Sequence, residues 1–303
     1  MNAMAHLPGM TAEFDRRVLR NVPMSRHTSW HAGGPADLFF TPRDAGDLAA
    51  FLRQLPPGLP ILWVGLGSNL LVRDGGVRGV VISTHGSLGT LDRLSATRIH
   101  AEAGVPCARI ARQCVKWGLG PAEFFAGIPG TLGGALAMNA GAWGEETWRR
   151  VLEVETIDRR GVTRKHPAAD FEVGYRSVRG PEGEWFTAAS LTFDARTAEG
   201  GVAIRELLER RRQSQPIGEW SCGSVFTNPP GDHAARLIEA AGLKGLRIGG
   251  ASVSQKHANF IVNGGAASAA DIEALIETIQ SAVAAQFGVR LHTEVRIVGE
   301  RSA

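Results

Sequence analysis

Apolar residues recur along this chain at two spacings, and the switches between them predict the elements. Ala36-Asp37-Leu38-Phe39-Phe40 has the short apolar run of a strand. Within Thr41–Leu55, residues Leu48, Phe51, Leu52 and Leu55 then recur at the spacing of one helix face. Pro56-Pro57-Gly58 stops that helix, and Ile61-Leu62-Trp63-Val64 follows as a buried strand, giving a β-α-β unit. Further strands are predicted at Gly79–Ser83, Ile99–Ala103, Val151–Asp158, Gly161–Lys165 and Glu184–Asp194, with a helix at Ala108–Trp117. From Val202 the pattern becomes helical, at Val202–Arg212, His233–Ala241 and Ser268–Phe287. Ser268 and Asp271 have capping-box spacing, with Asp in place of the usual Glu. A last strand is predicted over Val289–Val298, with Leu291, Thr293, Val295 and Ile297 on one face and His292, Glu294 and Arg296 on the other. Met1–Asp15 reads as a tail. The whole is an α+β chain.

Composition narrows the class. With 303 residues, 44% of them hydrophobic and 21% charged, the chain has material for several packed units. The net charge of +3 has no basic stripe behind it; the one dense run, Arg210-Arg211-Arg212, reads equally as a solvated helix end that favours cations or as a phosphate contact. Nucleic acid is therefore not an expected partner. Cys107, Cys114 and Cys222 are odd in number and lack C-x-x-C spacing, so neither a disulfide framework nor a metal site is expected. No apolar run approaches the ~18 residues of a membrane span, and the first residues lack signal-peptide order, which predicts a cytoplasmic protein.

Glycine changes the picture. Its 38 occurrences stand well above the ordinary share of about 7%, and two clusters stand out. Gly65-Leu66-Gly67-Ser68-Asn69 directly follows a predicted strand, where successive backbone N–H groups can face an anion. It is not a dinucleotide fingerprint: the third glycine is missing and Leu70-Leu71-Val72 continues as a strand. Taken alone, it reads as a tight turn before it reads as an anion site. Gly127-Ile128-Pro129-Gly130-Thr131-Leu132-Gly133-Gly134, followed by Asn139-Ala140-Gly141-Ala142, cannot gain stability from its own side chains. Either a ligand approaches the backbone or a buried crossover packs tightly there. Neither cluster has the lysine of a triphosphate-binding loop, so the pair suits a pyrophosphate-containing cofactor held by backbone amides.

Eight segments, in order over about nine-tenths of the chain, carry a specific likeness. They are His27-Thr28-Ser29-Trp30 with Gly33-Gly34-Pro35-Ala36-Asp37, Gly67-Ser68-Asn69-Leu70-Leu71, the Gly127–Gly134 cluster with Asn139-Ala140-Gly141, Gly174-Tyr175-Arg176-Ser177, Gly223-Ser224-Val225-Phe226 with Asn228-Pro229, Leu237–Gly245, Lys256-His257-Ala258-Asn259-Phe260, and Glu294-Val295-Arg296. In these the chain resembles the UDP-N-acetylenolpyruvoylglucosamine reductases, or UDP-N-acetylmuramate dehydrogenases, of bacterial cell-wall synthesis. Its single tyrosine, Tyr175, places it with the shorter branch lacking a tyrosine loop. His31 and Ser214 depart from the pattern at positions where a basic residue is common.

The resemblance implies a vanillyl-alcohol-oxidase (PCMH-type) FAD-binding fold: FAD subdomains at residues 16–85 and 86–200, and a C-terminal α+β substrate domain at 201–303 whose last strand can return to the FAD domain. It implies a monomer that binds FAD non-covalently, takes NADPH as co-substrate, and reduces UDP-N-acetylglucosamine enolpyruvate to UDP-N-acetylmuramate. The implied FAD contacts are Trp30, Gly33, Gly34, Gly65, Gly67, Ser68, Asn69, Leu70, Gly127, Ile128, Pro129, Gly130, Thr131, Gly133, Gly134, Asn139, Gly141 and Ala142. Substrate contacts are implied for Tyr175, Arg212, Asn228, Lys256, His257 and Asn259, and catalytic roles for Arg176, Ser224 and Glu294. Outside this context the last three read as a surface arginine, a turn serine and a strand carboxylate. Their chemistry suits the reaction: a planar guanidinium matches a carboxylate, and a developing carbanion needs a proton donor and nearby electrostatic support. An oxidase with flavin linked covalently through His31, His85 or Cys107, or a non-catalytic binding module, are the alternatives.

Overall fold

The computed structural model describes residues 9–196 and 200–302. It divides into two compact units: one holds the chain through Leu19, Phe39–Gly65 and Val80–Arg210, the other Arg20–Leu38, Leu66–Gly79 and the chain from Arg211.

In the first unit, a five-stranded antiparallel sheet has the order Thr163–Pro167, Val151–Asp158, Glu184–Thr192, Arg98–Glu102, Leu91–Arg93. Val154, Ala189 and Ala101 stand side by side across it and all are buried, so one row of the pleat feeds the core. The helix Cys107–Lys116 brings Cys107, Ile110, Ala111 and Cys114 to that core at the spacing of one helix face. Full burial of the larger side chains among them, Val154 and Ile110, contributes about 1.5–3 kcal/mol each. Elsewhere in the unit, Ile61–Val64 runs parallel to Val80–Ser83.

The helix predicted over Thr41–Leu55 is confined to Ala45–Leu52, because the Asp44 carboxylate accepts the Asp47 N–H at 2.8 Å and fixes the start. Met1–Asp15 is not a tail throughout. Residues 1–8 lie outside the described residues, but Ala12–Arg17 is a helix whose buried Phe14 packs against Phe40 and Phe51.

In the second unit, Arg247–Ile248, Ala251–Val253 and Ile261–Asn263 form an antiparallel sheet beside the helix Ala269–Phe287. That helix buries Ile272, Leu275, Ile276, Ile279 and Val283. Its capping box is formed, and Gly288 at φ +68° closes its far end. Leu70–Val72 pairs in parallel with Arg296–Val298.

The predicted strand Val289–Val298 is shortened to Arg296–Val298. Glu294 and Val295 both donate their N–H to the Val225 carbonyl, at 2.8 and 3.4 Å. Two successive amides aimed at one oxygen require a bend, so Glu294 does not occupy a face of a regular strand. Among the described residues no helix is long and apolar enough to cross a membrane, and no His/Cys/Asp/Glu cluster could hold a metal.

Candidate active site

In the second unit the site grows from Gly67. Its backbone lies at φ +63°, and a Cβ there would stand 1.9 Å from the His27 carbonyl oxygen. Only glycine permits both. Ser29 N–H donates to the Gly67 carbonyl at 3.2 Å. From the other side Cys222 Sγ–H approaches the Gly67 and Leu70 carbonyls at 3.8 and 3.5 Å. Burial pushes the Cys222 thiol up to about 12, so it remains a donor. This contact brings the following Gly223-Ser224 up to the Gly67 loop.

The next residue of the loop ties in Glu294. Asn69 Nδ2 donates to the Glu294 carbonyl at 3.0 Å, and Arg296 N–H donates to the Asn69 carbonyl at 3.1 Å. With Glu294 N–H on Val225 as described, the Glu294 backbone is held on both sides. Ser224, Glu294 and the Gly67–Asn69 loop therefore share one neighbourhood.

Several expected ligand contacts have other partners in the structure. Trp30 is fully buried and donates its indole N–H to the Ile261 carbonyl at 2.7 Å, as a core residue does. Asn228 Oδ1 accepts Ala234 N–H at 3.1 Å, at the start of the helix Ala234–Ala240. Asn259 is buried with its carboxamide turned to the Phe226 backbone. Lys256 Nζ donates to the Arg212 carbonyl, so those two exposed cations are neighbours. Burial, then the nearby Lys244 charge, holds His257 below its ordinary pKa, and its Nδ1 accepts Asn259 N–H at 3.3 Å. At the departures, Ser214 Oγ donates to the Arg211 carbonyl, and the His31 ring stacks on Trp220 with centroids 4.5 Å apart.

In the first unit Arg176 ends a tight hairpin. Glu172–Gly174 pairs with Ser177–Arg179 in a register that leaves only Tyr175-Arg176 as the turn. Arg176 adopts φ +54°, a position usually taken by glycine, and so carries strain characteristic of functional sites. It lies 5.3 Å from the Tyr175 ring centroid, and one guanidinium N–H donates to the Asn139 carbonyl at 3.3 Å. Asn139 is buried at φ +45°; its Nδ2 donates to the Gly174 carbonyl and Glu146 Oε2, both at 3.1 Å, and its Oδ1 accepts Trp148 N–H. Its carboxamide thus positions the arginine hairpin.

The same unit contains the larger glycine cluster, and packing explains part of it. A Cβ on Gly127 would meet the Trp143 ring at 2.6 Å, and one on Gly141 the Glu145 carbonyl at 2.3 Å. The Leu132 and Gly133 amides already serve Val105 and Ala103, so fewer backbone donors face a ligand than the sequence suggested. Two observations remain that packing does not explain. Gly134 has nothing within 4 Å of where a Cβ would stand, and the buried Thr131 Oγ1 has no hydrogen-bond partner. A Cβ on Gly65 would stand 2.4 Å from that hydroxyl. A glycine-lined cradle with an unmatched hydroxyl fits a polar cofactor.

Comparison with known proteins decides the family. Residues 36–166 match the family model of an FAD binding domain, and residues 215–298 that of the UDP-N-acetylenolpyruvoylglucosamine reductase C-terminal domain. The chain is 62% identical over 279 residues to the UDP-N-acetylenolpyruvoylglucosamine reductase of Alkalilimnicola ehrlichii, covering 92% of this chain and 93% of that one. It belongs to the UDP-N-acetylenolpyruvoylglucosamine reductase family. A second member, from Methylococcus capsulatus, is 56% identical, covering 94% of each chain. The crystal structure of the Thermus caldophilus reductase superposes with a TM-score of 0.81 at 32% identity, covering 93% of this chain and 98% of that one. The expected α+β FAD-binding fold with a C-terminal reductase domain is thereby met.

The sequence passed over Asn263, which lies in an apolar strand run. It is buried, donates Nδ2 to the Trp30 carbonyl at 2.7 Å and accepts Gly265 and Ala267 N–H on Oδ1. A carboxamide inside a strand run was its available signal.

Proposed function

We propose that this chain is a UDP-N-acetylmuramate dehydrogenase, reducing UDP-N-acetylglucosamine enolpyruvate to UDP-N-acetylmuramate with NADPH during peptidoglycan precursor synthesis. It acts in the cytoplasm as a monomer. FAD subdomains comprise residues 16–85 and 86–200, and residues 201–303 bind the sugar nucleotide. The observation that carries the reading is the 2.8 Å bond from Glu294 N–H to the Val225 carbonyl, which sets Glu294 against the residue following Ser224.

Thr131 and the Gly65–Asn69 and Gly127–Gly134 backbones would hold the cofactor. FAD bound there, once reduced by NADPH, would supply a hydride to the enolpyruvyl carbon distal to the ether oxygen. Negative charge then builds on the adjacent substrate carbon and its carboxylate. Arg176 clamps that carboxylate with a planar fork that stays charged at working pH. Ser224 gives its hydroxyl proton to the carbon; a serine is a weak acid, so the half-buried setting and the strongly basic carbon are both needed. Glu294 stabilises the enol-like form. Lys256 and Arg212 meet the diphosphate.

The test separates the half-reactions. Purified protein should be yellow, bleach with NADPH, and recolour on adding the enolpyruvyl sugar. Ser224→Ala should slow recolouring by at least about 100-fold, the usual minimum contribution of a positioned proton donor, with bleaching largely kept. Equal loss in both half-reactions would remove Ser224 from its role. A colourless protein that takes up no FAD would refute the reading as a whole.

A further inference from the structure

We propose that Asn259 is a positioning residue that sets the geometry of Ser224 against Glu294, and that it does not contact substrate. This rests on the functional reading above and deepens it. Three bonds join Asn259 to the segment after Ser224. Its carbonyl accepts Val225 N–H at 2.9 Å, its Oδ1 accepts Phe226 N–H at 2.9 Å, and its Nδ2 donates to the Phe226 carbonyl at 2.8 Å.

A carboxamide carries its acceptor and its donor on separate atoms of one short planar group, so it pairs with both backbone groups of a single residue. Phe226 is buried, so no water replaces these bonds if they are lost. On its other side the segment is fixed by Glu294. The Val225 carbonyl takes Glu294 N–H, Phe226 bridges Thr293, and Thr227 N–H donates to the His292 carbonyl at 3.0 Å. The run Val225–Thr227 is thus the middle of three backbones, between Asn259 and residues 292–295. Asn259 fixes one border and Glu294 lies on the other, while Ser224 is the first residue outside the clamp. Asn69, bonded to the Glu294 carbonyl, completes the series. Asn259 itself is buried and its amide is committed, which leaves it unsuited to touch a sugar nucleotide.

Asn259→Asp keeps the shape and the Phe226 N–H acceptor but replaces the donor with a charged oxygen facing the Phe226 carbonyl. In the FAD-loaded enzyme, stopped-flow traces should show sugar reduction falling about 100-fold, as misplacing a reacting group by about 1 Å does. The dissociation constant of the enolpyruvyl sugar should stay within about 3-fold of wild type. Hydrogen exchange should accelerate in both 225–227 and 293–295, a readout that needs no turnover. Asn259→Ser, smaller and uncharged, should fall in the same direction and guards against misfolding of the first variant. Three results would overturn the proposal: a weakened sugar complex with unchanged chemistry, which would make Asn259 a substrate contact; a lowered melting point with both half-reactions intact; or unchanged exchange in 293–295. Wild-type protein inert toward the sugar would instead sink the functional reading, and the exchange result would still decide the coupling.

Discussion

Gly67→Ala should destabilise the fold before any ligand is considered. The added Cβ would stand 1.9 Å from the His27 carbonyl oxygen and 2.9 Å from Thr28 Cα, where ordinary contacts begin at 3.4 Å. The two backbones must part by about 1.5 Å, since a repulsive overlap of that depth cannot be absorbed in place. Holding alanine at φ +63° costs about 1–2 kcal/mol, and losing the Ser29–Gly67 hydrogen bond costs about 1 kcal/mol more. A loss near 3 kcal/mol corresponds to a fall in melting temperature of roughly 5–10 °C. Gly134→Ala is the matched control. It sits in the helix Leu132–Ala137 with open space at its Cβ, so its melting temperature should hold or rise, alanine being favoured in helices by up to about 1 kcal/mol. Circular-dichroism melts of both variants, with and without added FAD, provide the assay. The reasoning is refuted if Gly67→Ala melts within about 2 °C of wild type, or if Gly134→Ala falls as far without FAD. A Gly134→Ala protein that melts normally but binds FAD more weakly would mark the open side of that residue as the cofactor side.

Two other outcomes follow from charge and burial. Arg73, through Nε and NH2 at about 3 Å, and then Arg301 hold the Glu273 carboxyl below its ordinary pKa. A depressed folded-state pKa adds stability that is complete above the unfolded value of about 4.3 and is lost as pH falls through the folded one. Glu273→Gln should therefore cost about 2 kcal/mol at pH 7, in urea melts, and the gap to wild type should close below about pH 4; a constant gap would contradict the linkage. Cys107, Cys114 and Cys222 are buried, with thiols pushed up to about 12, so native protein should resist an aromatic disulfide reagent and unfolded protein should titrate all three. Flavin remaining on the chain after denaturation would speak for covalent attachment and against this assignment.

Elements whose signals are local were legible in the sequence. The helix Ala269–Phe287 announced itself through apolar spacing and the Ser268/Asp271 pair, and the structure forms that capping box. The Gly67 turn was legible as a turn, but its reason, the backbone of His27 forty residues earlier, was not. Phe14 likewise has no local pattern; its helix is fixed by Phe40 and Phe51, which arrive later in the chain. Glu294 misled in a different manner. Alternating residues from Leu291 to Ile297 satisfy a strand pattern, yet the hydrogen bonds converge on one carbonyl of Val225 and the chain bends. Asn139, Asn228 and Asn259 show a further ambiguity. A carboxamide in a motif suits a ligand and a buried backbone equally, and only the fold reveals that these amides pair with backbone. The discontinuous units were also hidden, because nothing in the residues of 20–38 or 66–79 marks them as companions of the chain after Arg211.

The stack of His31 on Trp220 has a practical use. Indole emission is sensitive to what lies against the ring face, and this indole is partly open to solvent, four residues before Ser224. The protein therefore carries an optical probe close in sequence to the proposed proton donor, without any label. Of the seven tryptophans, several, such as Trp30 and Trp148, are enclosed and should supply a steady background. Difference spectra against a Trp220→Phe variant would isolate the one signal that reports arrivals and departures at that end of the site.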